Sequence, residues 1–134
     1  MSDRVWRILY VEDQPEMIEL IQIVLRQRPA QVIGATNVPE AIDILHREPP
    51  DLVLLDLMIP EVDGWAVHRE IINDPKLCHI PVIVITARGS LYERDRGLHK
   101  PGVVDYIIKP FSPAVLLASI DRALANVSAT ASQA

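Results

Sequence analysis

The sequence predicts an α/β fold in which a doubly wound, five-stranded parallel sheet carries helices on both faces. Short apolar, β-rich runs alternate with segments of helical period along the chain. A length of 134 residues suits one such domain. Right-handed crossovers favour the strand order 2-1-3-4-5. The runs predicted to form strands are Arg7 to Val11, Gln31 to Ala35, Leu52 to Leu55, Val82 to Ile85 and Val104 to Ile108.

The segments between these runs carry the spacing of amphipathic helices. Ile18, Ile21 and Leu25 recur at helical intervals after Pro15, a residue that the first turn of a helix tolerates. Proline also marks helix ends, because the residue before it avoids the helical conformation. The second helix is predicted around Ala41, Ile42 and Leu45 with an end at Pro49-Pro50, and the third around Trp65, Val67, Ile71 and Ile72 with an end at Pro75.

The fourth helix is the one that the sequence supports least. Gly89, Gly97 and Pro101 interrupt the segment before the last strand, so this helix is predicted to be short or mobile. The fifth helix is predicted from about Pro113 to Ala125. Residues 126–134 are mostly Ser, Ala and Thr without an apolar period, and they predict a flexible tail or the start of a linker. The folded domain is therefore expected to span residues 1–125.

Composition excludes several classes of protein. Apolar residues make up 49% and the net charge is −5, as in globular chains without a large nucleic-acid surface. The apolar runs are too short to cross a bilayer, and the N-terminus lacks a signal-peptide pattern, so a cytoplasmic protein is expected. Cys78 is the single cysteine, which excludes an internal disulfide, and is interpreted as a packing residue. The four histidines lack metal-ligand spacing and are interpreted as surface groups.

Polar residues stand where four of the predicted strands end. Glu12 and Asp13 follow the first strand, Asp56 the third, Thr86 the fourth and Lys109 the fifth. In doubly wound sheets, ligands bind beyond the carboxyl ends of the strands. We therefore expect these side chains to converge at one edge of the sheet.

Three converging carboxylates repel one another and predict a bound cation. Mg²⁺ suits carboxylate oxygens and readily accepts a phosphate oxygen as a further ligand, and Mn²⁺ is an alternative. Asp56 is then a candidate nucleophile, because a carboxylate forms an acyl phosphate when the donor's phosphoryl group is neutralised and held in line. Lys109 offers a positive charge and Thr86 a hydroxyl donor to the phosphoryl oxygens. The sequence thus predicts a phosphate-accepting site.

Four motifs in order give the chain a specific family resemblance. From about Arg7 to Leu124 it resembles the receiver domains of two-component response regulators, including the chemotaxis type, whose fold is flavodoxin-like. The motifs are Ile8-Leu9-Tyr10-Val11-Glu12-Asp13, Leu54-Leu55-Asp56-Leu57-Met58-Ile59-Pro60-Glu61-Val62-Asp63-Gly64, Val84-Ile85-Thr86-Ala87 and Asp105-Tyr106-Ile107-Ile108-Lys109-Pro110-Phe111.

The resemblance assigns roles to the site residues. It implies that Asp56 takes phosphate from a histidine kinase or a phosphotransfer protein, and that the module signals and is not an enzyme. Asp13 and Asp56 would ligate Mg²⁺ directly and Glu12 through water. The backbone carbonyl of Met58 would complete the protein ligands, and the resemblance suggests a cis peptide before Pro110. Ala87 stands beside Thr86 among the residues of the phosphate and switch region.

The resemblance also implies a switch. Phosphate on Asp56 would draw Thr86 inward, and Tyr106 would turn from exposed to buried to fill the vacated space. The fourth helix, fifth strand and fifth helix would present the change to a downstream protein or a linked output domain, or form a homodimer. As a further hypothesis, Arg88 contacts the phosphate or a neighbouring acid. The stretch Lys100-Pro101-Gly102 carries one residue more than is usual in the family.

Other interpretations of the same residues stay open. The acids suit capping of strand-to-helix turns, and Asp13 in particular is a plausible N-cap. Taken separately, Thr86 is typical of a β-branched strand residue and Lys109 of a solvated charge. Tyr106 is equally typical of a static packing residue. At the level of function, a pseudo-receiver scaffold is one alternative. An aspartyl-phosphate hydrolase of the haloacid-dehalogenase type is another, although Met58 replaces the second acid of its Asp-x-Asp motif.

Overall fold

The strands form a single parallel sheet. The computed structural model describes residues 4–59 and 63–133, with the backbone alone for residues 128–133; residues 60–62 of the second motif lie outside it. The strands are β1 (Trp6–Val11), β2 (Ala30–Ala35), β3 (Leu52–Leu55), β4 (Val82–Thr86) and β5 (Val103–Ile108). Their order is β2-β1-β3-β4-β5, which confirms the predicted fold class. Each strand agrees with its predicted range to within one residue at either end.

The helices connect the strands as crossovers. Helices α2 (Val38–Arg47) and α3 (Trp65–Ile72) end ahead of Pro49 and Pro75, the prolines predicted to stop them. The fourth helix is short, with eight residues, as the glycine and proline pattern predicted. A single 3₁₀ turn at Leu25–Gln27 extends the first helix. The helices are α1 (Pro15–Val24), α2 (Val38–Arg47), α3 (Trp65–Ile72), α4 (Leu91–Leu98) and α5 (Pro113–Gln133).

The core consists of two apolar layers, one on each face of the sheet. Alternate residues of each strand point to opposite faces, so Leu9 and Val53 enter one layer while Ile8 and Leu54 enter the other. One layer packs under α2 and α3, and the other under α1 and α5. β3 and β4 are buried along their whole length, which matches their continuous apolar runs. These buried strands fix the positions of the residues that follow them.

The C-terminal helix is longer than predicted. We expected α5 to end near Ala125, but it continues to Gln133. Residues 126–133 contain no Gly or Pro that would stop a helix, and alanine favours its continuation. The absence of apolar period therefore did not mark the end of the helix. The assignment of residues 126–134 to a tail or linker outside the domain stays a prediction.

The stretch Lys100-Pro101-Gly102 leads into an irregularity in β5. Val82 pairs with Val103, but Ile83 pairs with Asp105, so the register shifts by one and Val104 is accommodated as a bulge. Gly102 precedes the bulge with a φ of 78°, a conformation that glycine adopts without strain. The strand then pairs regularly with β4 up to Ile108.

Two predictions about exposure are wrong. His68 is buried on α3, where its Nε2 lies 2.7 Å from the carbonyl oxygen of Pro101, because the helix turns this position toward the segment before β5 and not toward solvent. Cys78 is exposed, because the turn after α3 buries Leu77 instead. Among the described residues, no helix is long and apolar enough to cross a membrane.

Candidate functional site

The predicted site residues meet at the carboxyl edge of the sheet. Glu12 and Asp13 follow β1 directly, Asp56 follows β3, Thr86 is the last residue of β4, and Lys109 follows β5. β1, β3, β4 and β5 are consecutive parallel neighbours in the sheet, so their ends point the same way. We call Glu12, Asp13, Asp56 and Lys109 the acidic edge.

The three acids of the acidic edge form a candidate cation site. One carboxylate oxygen from each of Glu12, Asp13 and Asp56 lies within 4.8 Å of the other two. Glu12 is 1% exposed and Asp56 4%, so water neutralises their charge poorly. Asp13 is half-buried and is not the N-cap of α1, since Gln14 occupies that position. Carboxylate oxygens that surround one small volume are the ligands that a hard divalent cation prefers.

Lys109 supplies the one ammonium group that the structure places against these acids within its described residues. Its Nζ lies 2.5 Å from Oε1 of Glu12 and 2.9 Å from Oδ2 of Asp56. The Lys109–Pro110 peptide bond is cis. Three carboxylates face one ammonium, so the acidic edge keeps an excess of negative charge when all four groups are ionised.

The pKa directions reflect this crowding. Burial raises the pKa of Glu12, and the nearby Asp56 adds to the effect, while the hydrogen bond from Lys109 opposes it. Burial alone would lower the pKa of Lys109, but the carboxylates of Glu12 and Asp56 outweigh burial and raise it. Lys109 therefore stays protonated and available to an anion.

Each carboxylate oxygen of Asp56 accepts a hydrogen bond from a different donor. The backbone N–H of Met58 donates to Oδ1 at 2.9 Å, and Lys109 donates to Oδ2 at 2.9 Å. These contacts fix the plane of the carboxylate at the end of β3. The Met58 side chain is half exposed, and its thioether is neither an acid nor a base for this carboxylate.

Thr86 lies beside this group at the end of β4. Its side chain is fully buried, and its Oγ1 accepts a hydrogen bond of 3.3 Å from the backbone N–H of Arg88. The backbone N–H of Lys109 donates to the Thr86 carbonyl at 2.9 Å, which ties the two strand ends together. Ala87 is exposed. The Arg88 guanidinium lies 4.0 Å from Oδ2 of Asp63, an acid outside the acidic edge.

Comparison with known proteins identifies the family. The family model of the response regulator receiver domain matches residues 8–121, which include the whole acidic edge. The chain belongs to this family.

The curated relatives of this receiver domain include longer transcriptional regulators. The phosphate regulon transcriptional regulatory protein PhoB of Escherichia coli is 38% identical over 91% of the chain and 53% of its own length. The chain spans about half the length of the curated relatives it matches.

Two solved structures share both fold and sequence with this chain. The signal receiver domain of a histidine kinase from Syntrophus aciditrophicus is 34% identical with a TM-score of 0.80, covering 91% of this chain and 92% of its own. The receiver domain of a sensor histidine kinase from Pseudomonas aeruginosa is 30% identical with a TM-score of 0.77, covering 89% and 97%. That structure holds a magnesium ion in its active site cleft.

Tyr106 of this receiver domain points inward. Its side chain is 3% exposed, and its hydroxyl donates to the backbone carbonyl of Arg88 at 2.8 Å. The ring packs directly on the backbone of α4, since a Cβ added at Gly97 would lie 2.7 Å from its Cδ2. Burial raises the pKa of Tyr106, so its hydroxyl stays protonated as a donor. The structure thus shows the buried orientation of this side chain.

One polar contact of the receiver site was not predicted from the sequence. Tyr10 on β1 is fully buried, and its hydroxyl donates to Oε1 of Glu12 at 2.9 Å. Burial raises the pKa of Tyr10, and the charge of Glu12 adds to the effect, so this hydroxyl keeps its proton. The spacing carried a usable signal, because side chains two residues apart on a strand point to the same face.

Proposed function

We propose that this receiver domain accepts a phosphoryl group on Asp56 in a Mg²⁺-dependent reaction, with a histidine kinase or a phosphotransfer protein as the donor. The observation that carries the proposal is the acidic edge itself. Asp56 lies within 4.8 Å of two further carboxylates and 2.9 Å from the ammonium of Lys109. Such a set of groups suits an anion brought in together with a divalent cation.

The donor set fits Mg²⁺. All three acids offer hard oxygen ligands, and their excess negative charge calls for a divalent partner. In the proposal, Asp13 and Asp56 bind the ion directly, Glu12 binds it through water, and the carbonyl of Met58 adds a neutral ligand. Mn²⁺ is the alternative ion for the same ligands. When bound, the ion neutralises charge on the phosphoryl oxygens.

The proposed chemical step is a simple displacement at phosphorus. One carboxylate oxygen of Asp56 forms a bond to the phosphorus of the donor, and the bond from phosphorus to the donor's leaving atom breaks. The leaving group departs with the electron pair of that bond. The product is an acyl phosphate, which water later hydrolyses to regenerate Asp56 and inorganic phosphate.

Lys109 and Thr86 would receive the phosphoryl oxygens. Lys109 is already protonated and held next to Asp56, so little reorganisation is needed when the anion arrives. Thr86 offers a hydroxyl whose only hydrogen bond, among the described residues, is the 3.3 Å contact that it accepts from the Arg88 backbone. Its proton therefore remains available to a phosphoryl oxygen. Ala87 would follow Thr86 into the phosphate-binding loop.

The switch in this proposal runs from Thr86 to Tyr106. Movement of Thr86 toward the phosphate displaces the backbone of Arg88, which accepts the hydrogen bond of the Tyr106 hydroxyl at 2.8 Å. The inward position of Tyr106 is thereby coupled to the phosphate. The surface formed by α4, β5 and α5 would pass the change to a downstream protein, a linked output domain or a second copy of the chain.

The alternatives find less support in the site. A hydrolase of the haloacid-dehalogenase type needs an acid two residues after its nucleophile, and Met58 provides a half-exposed thioether there. A scaffold that is never phosphorylated does not need the buried Glu12 and Asp56 beside one ammonium group. Apolar side chains in their place would cost no stability.

Phosphorylation by a small donor tests the proposal. The full chain is incubated with Mg²⁺ and acetyl phosphate, and the adduct is located by mass spectrometry after borohydride reduction. We expect one phosphoryl group on Asp56, no adduct in Asp56→Asn, and no adduct in excess EDTA. Asp51→Asn is the matched control, because Asp51 lies before β3 and binds Arg7 instead, and this variant should be labelled like the wild type.

The outcomes separate the candidate functions. An adduct on Asp56 that decays without turnover of a phosphoester supports the receiver function. Many turnovers on p-nitrophenyl phosphate would instead indicate the hydrolase. A chain that binds Mg²⁺ but takes no phosphate, from acetyl phosphate or from a cognate kinase, would indicate the scaffold and refute the proposal.

A further inference from the structure

A buried hydroxyl lies behind the acidic edge, and the proposed reaction gives it no role. Tyr10 donates to Oε1 of Glu12 at 2.9 Å, and Lys109 donates to the same oxygen at 2.5 Å. The other carboxylate oxygen, Oε2, receives a backbone N–H from Gln14 at 3.4 Å, beyond the usual distance of a strong hydrogen bond. The two oxygens of Glu12 are therefore held unequally.

This unequal arrangement sets the orientation of Glu12. Oε1 has two strong donors, whereas Oε2 keeps lone pairs free for a cation or for a water bound to one. Glu12 is 1% exposed, so bulk water does not reorient the carboxylate. The Tyr10 ring is packed in the apolar layer under α1 and α5, which places its hydroxyl independently of the site.

We propose that Tyr10 is a positioning residue: its hydroxyl fixes the Glu12 carboxylate with Oε2 toward the metal side of the acidic edge, and keeps Oε1 hydrogen-bonded when Lys109 turns to a phosphoryl group. The first role concerns metal binding alone. The second rests on the proposed function, because it requires an acyl phosphate on Asp56.

The second role follows from the sharing of Lys109. Its ammonium bridges Glu12 and Asp56, and phosphorylation of Asp56 adds new anionic oxygens beside it. When the ammonium turns toward them, Oε1 of Glu12 would become a buried charged acceptor without a donor, which is costly. The Tyr10 hydroxyl, held in place by its packed ring, would remain on Oε1. Lys109 can then move without leaving Glu12 unsatisfied.

A packing role for the Tyr10 ring predicts different behaviour. Phenylalanine would fill the same space, so Tyr10→Phe removes the hydroxyl and leaves the ring in place. We therefore measure the dissociation constant of Mg²⁺ by isothermal titration calorimetry on the full chain, with thermal unfolding to show that the fold is retained. Loss of an outer hydrogen bond to a metal ligand commonly weakens binding, and we expect roughly a tenfold weaker constant in Tyr10→Phe.

The control is a tyrosine outside the site. Tyr92 is 69% exposed on α4, and its hydroxyl contacts Arg96. Tyr92→Phe should leave the Mg²⁺ constant within about twofold of the wild type. The first role is overturned if Tyr10→Phe also stays within about twofold.

A double mutant locates the effect at Glu12. In a Glu12→Gln background, adding Tyr10→Phe should change Mg²⁺ affinity by less than about twofold, because the carboxylate that Tyr10 orients is gone. Both proteins are titrated to Mg²⁺ concentrations high enough to define the weaker dissociation constants. An unchanged tenfold loss in that background would show that the Tyr10 hydroxyl does not act through Glu12, and would overturn the proposal.

Phosphorylation at saturating Mg²⁺ tests the second role. Tyr10→Phe should accept phosphate from acetyl phosphate several-fold more slowly even when its metal site is full, and an equal rate would overturn that role. The result is distinguishable from failure of the proposed function. If the wild type binds Mg²⁺ but is never phosphorylated, the proposed function fails and the affinity data still decide the first role.

Discussion

The acidic edge and α4 both adjoin β5, but they are held in different ways. At the acidic edge, Glu12 and Asp56 are buried and Lys109 bonds to both. In α4 only Gly97 is buried, while Leu91 is 84% exposed and Tyr92 69% exposed. Helix α2 shows what a firmly packed helix on this face looks like, with Val38, Ala41, Ile44 and Leu45 all buried.

This difference suits a signalling domain. The groups proposed to react with phosphate must keep their positions, and burial with charge pairing provides that. A helix that reports the reaction must move at low cost, and α4 buries almost no apolar side chain that would resist movement. Gly97 of α4 packs against Tyr106, the residue proposed to carry the change.

Removal of Lys109 should have the largest effect on stability. Lys109→Ala leaves the buried Glu12 and Asp56 without a cation, and we expect a loss of about 3 kcal/mol of unfolding free energy in EDTA, measured by urea denaturation. Saturating Mg²⁺ should restore a large part of it. Lys76→Ala, at an exposed lysine, should change stability by less than about 0.5 kcal/mol. Equal stability of the two variants would show that the acidic edge is not held by charge.

Gly97→Ala should have an intermediate effect whose sign depends on Tyr106. The new Cβ would lie 2.7 Å from the Tyr106 ring. Such overpacking lowers the free energy of unfolding by about 1–3 kcal/mol, which outweighs the gain of about 1 kcal/mol from the higher helix propensity of alanine. In a Tyr106→Ala background the ring is gone, and the same substitution should stabilise by about 1 kcal/mol. Denaturant unfolding of the four proteins measures the coupling. Stabilisation in both backgrounds would contradict the contact between α4 and Tyr106.

The N-caps of α2 and α4 offer a matched pair with a smaller effect. Asn37 accepts the backbone N–H of Glu40 at 2.8 Å, and Ser90 accepts that of Glu93 at 3.0 Å. Loss of either cap should cost about 1 kcal/mol of helix stability. We expect Asn37→Ala to lower global stability by that amount, and Ser90→Ala to increase hydrogen exchange of the α4 amides with little global change. A global loss in both variants would show that α4 unfolds only with the rest of the domain.

The smallest expected effect is the pH dependence of stability that arises from His68 on α3. Burial lowers the pKa of His68 below its usual 6.5, and the hydrogen bond with the Pro101 carbonyl opposes the shift. The unfolded chain therefore binds the proton more readily, so the free energy of unfolding should fall as pH drops below about 6.5. His68→Gln should reduce this fall, measured by urea denaturation at several pH values, whereas His99→Gln at an exposed site should not. Identical pH profiles for all three proteins would contradict the shift.

Local patterns in the sequence predict much of this molecule. Continuous apolar runs identify β3 and β4 because both faces of these strands are covered, and prolines mark the ends of α2 and α3. The position of Asp56 after a buried strand, with Glu12 and Asp13 after a neighbouring one, is enough to predict that these acids converge.

Contacts between distant elements are what local patterns miss. The burial of His68 depends on the carbonyl of Pro101, and the need for Gly97 depends on the Tyr106 ring; neither partner is near in sequence. The hydrogen bond from Tyr10 to Glu12 is local in sequence. It was not predicted because a buried tyrosine in an apolar strand is typical of a core packing residue. The end of α5 was predicted too early because the apolar period stops near Ala125, whereas the helix propensity of the residues that follow continues the helix.

The bulge at Val104 gives β5 one residue more than the matching stretch of β4, ahead of the segment that leads to Lys109. By placing two residues opposite Ile83, it keeps both Val103 and Tyr106 on the face that packs toward α2 and α3. Without it, an inserted residue would turn every later side chain of β5 to the opposite face. A change of one residue ahead of this point can therefore be absorbed at the bulge, while the side-chain alternation that leads to Lys109 is preserved.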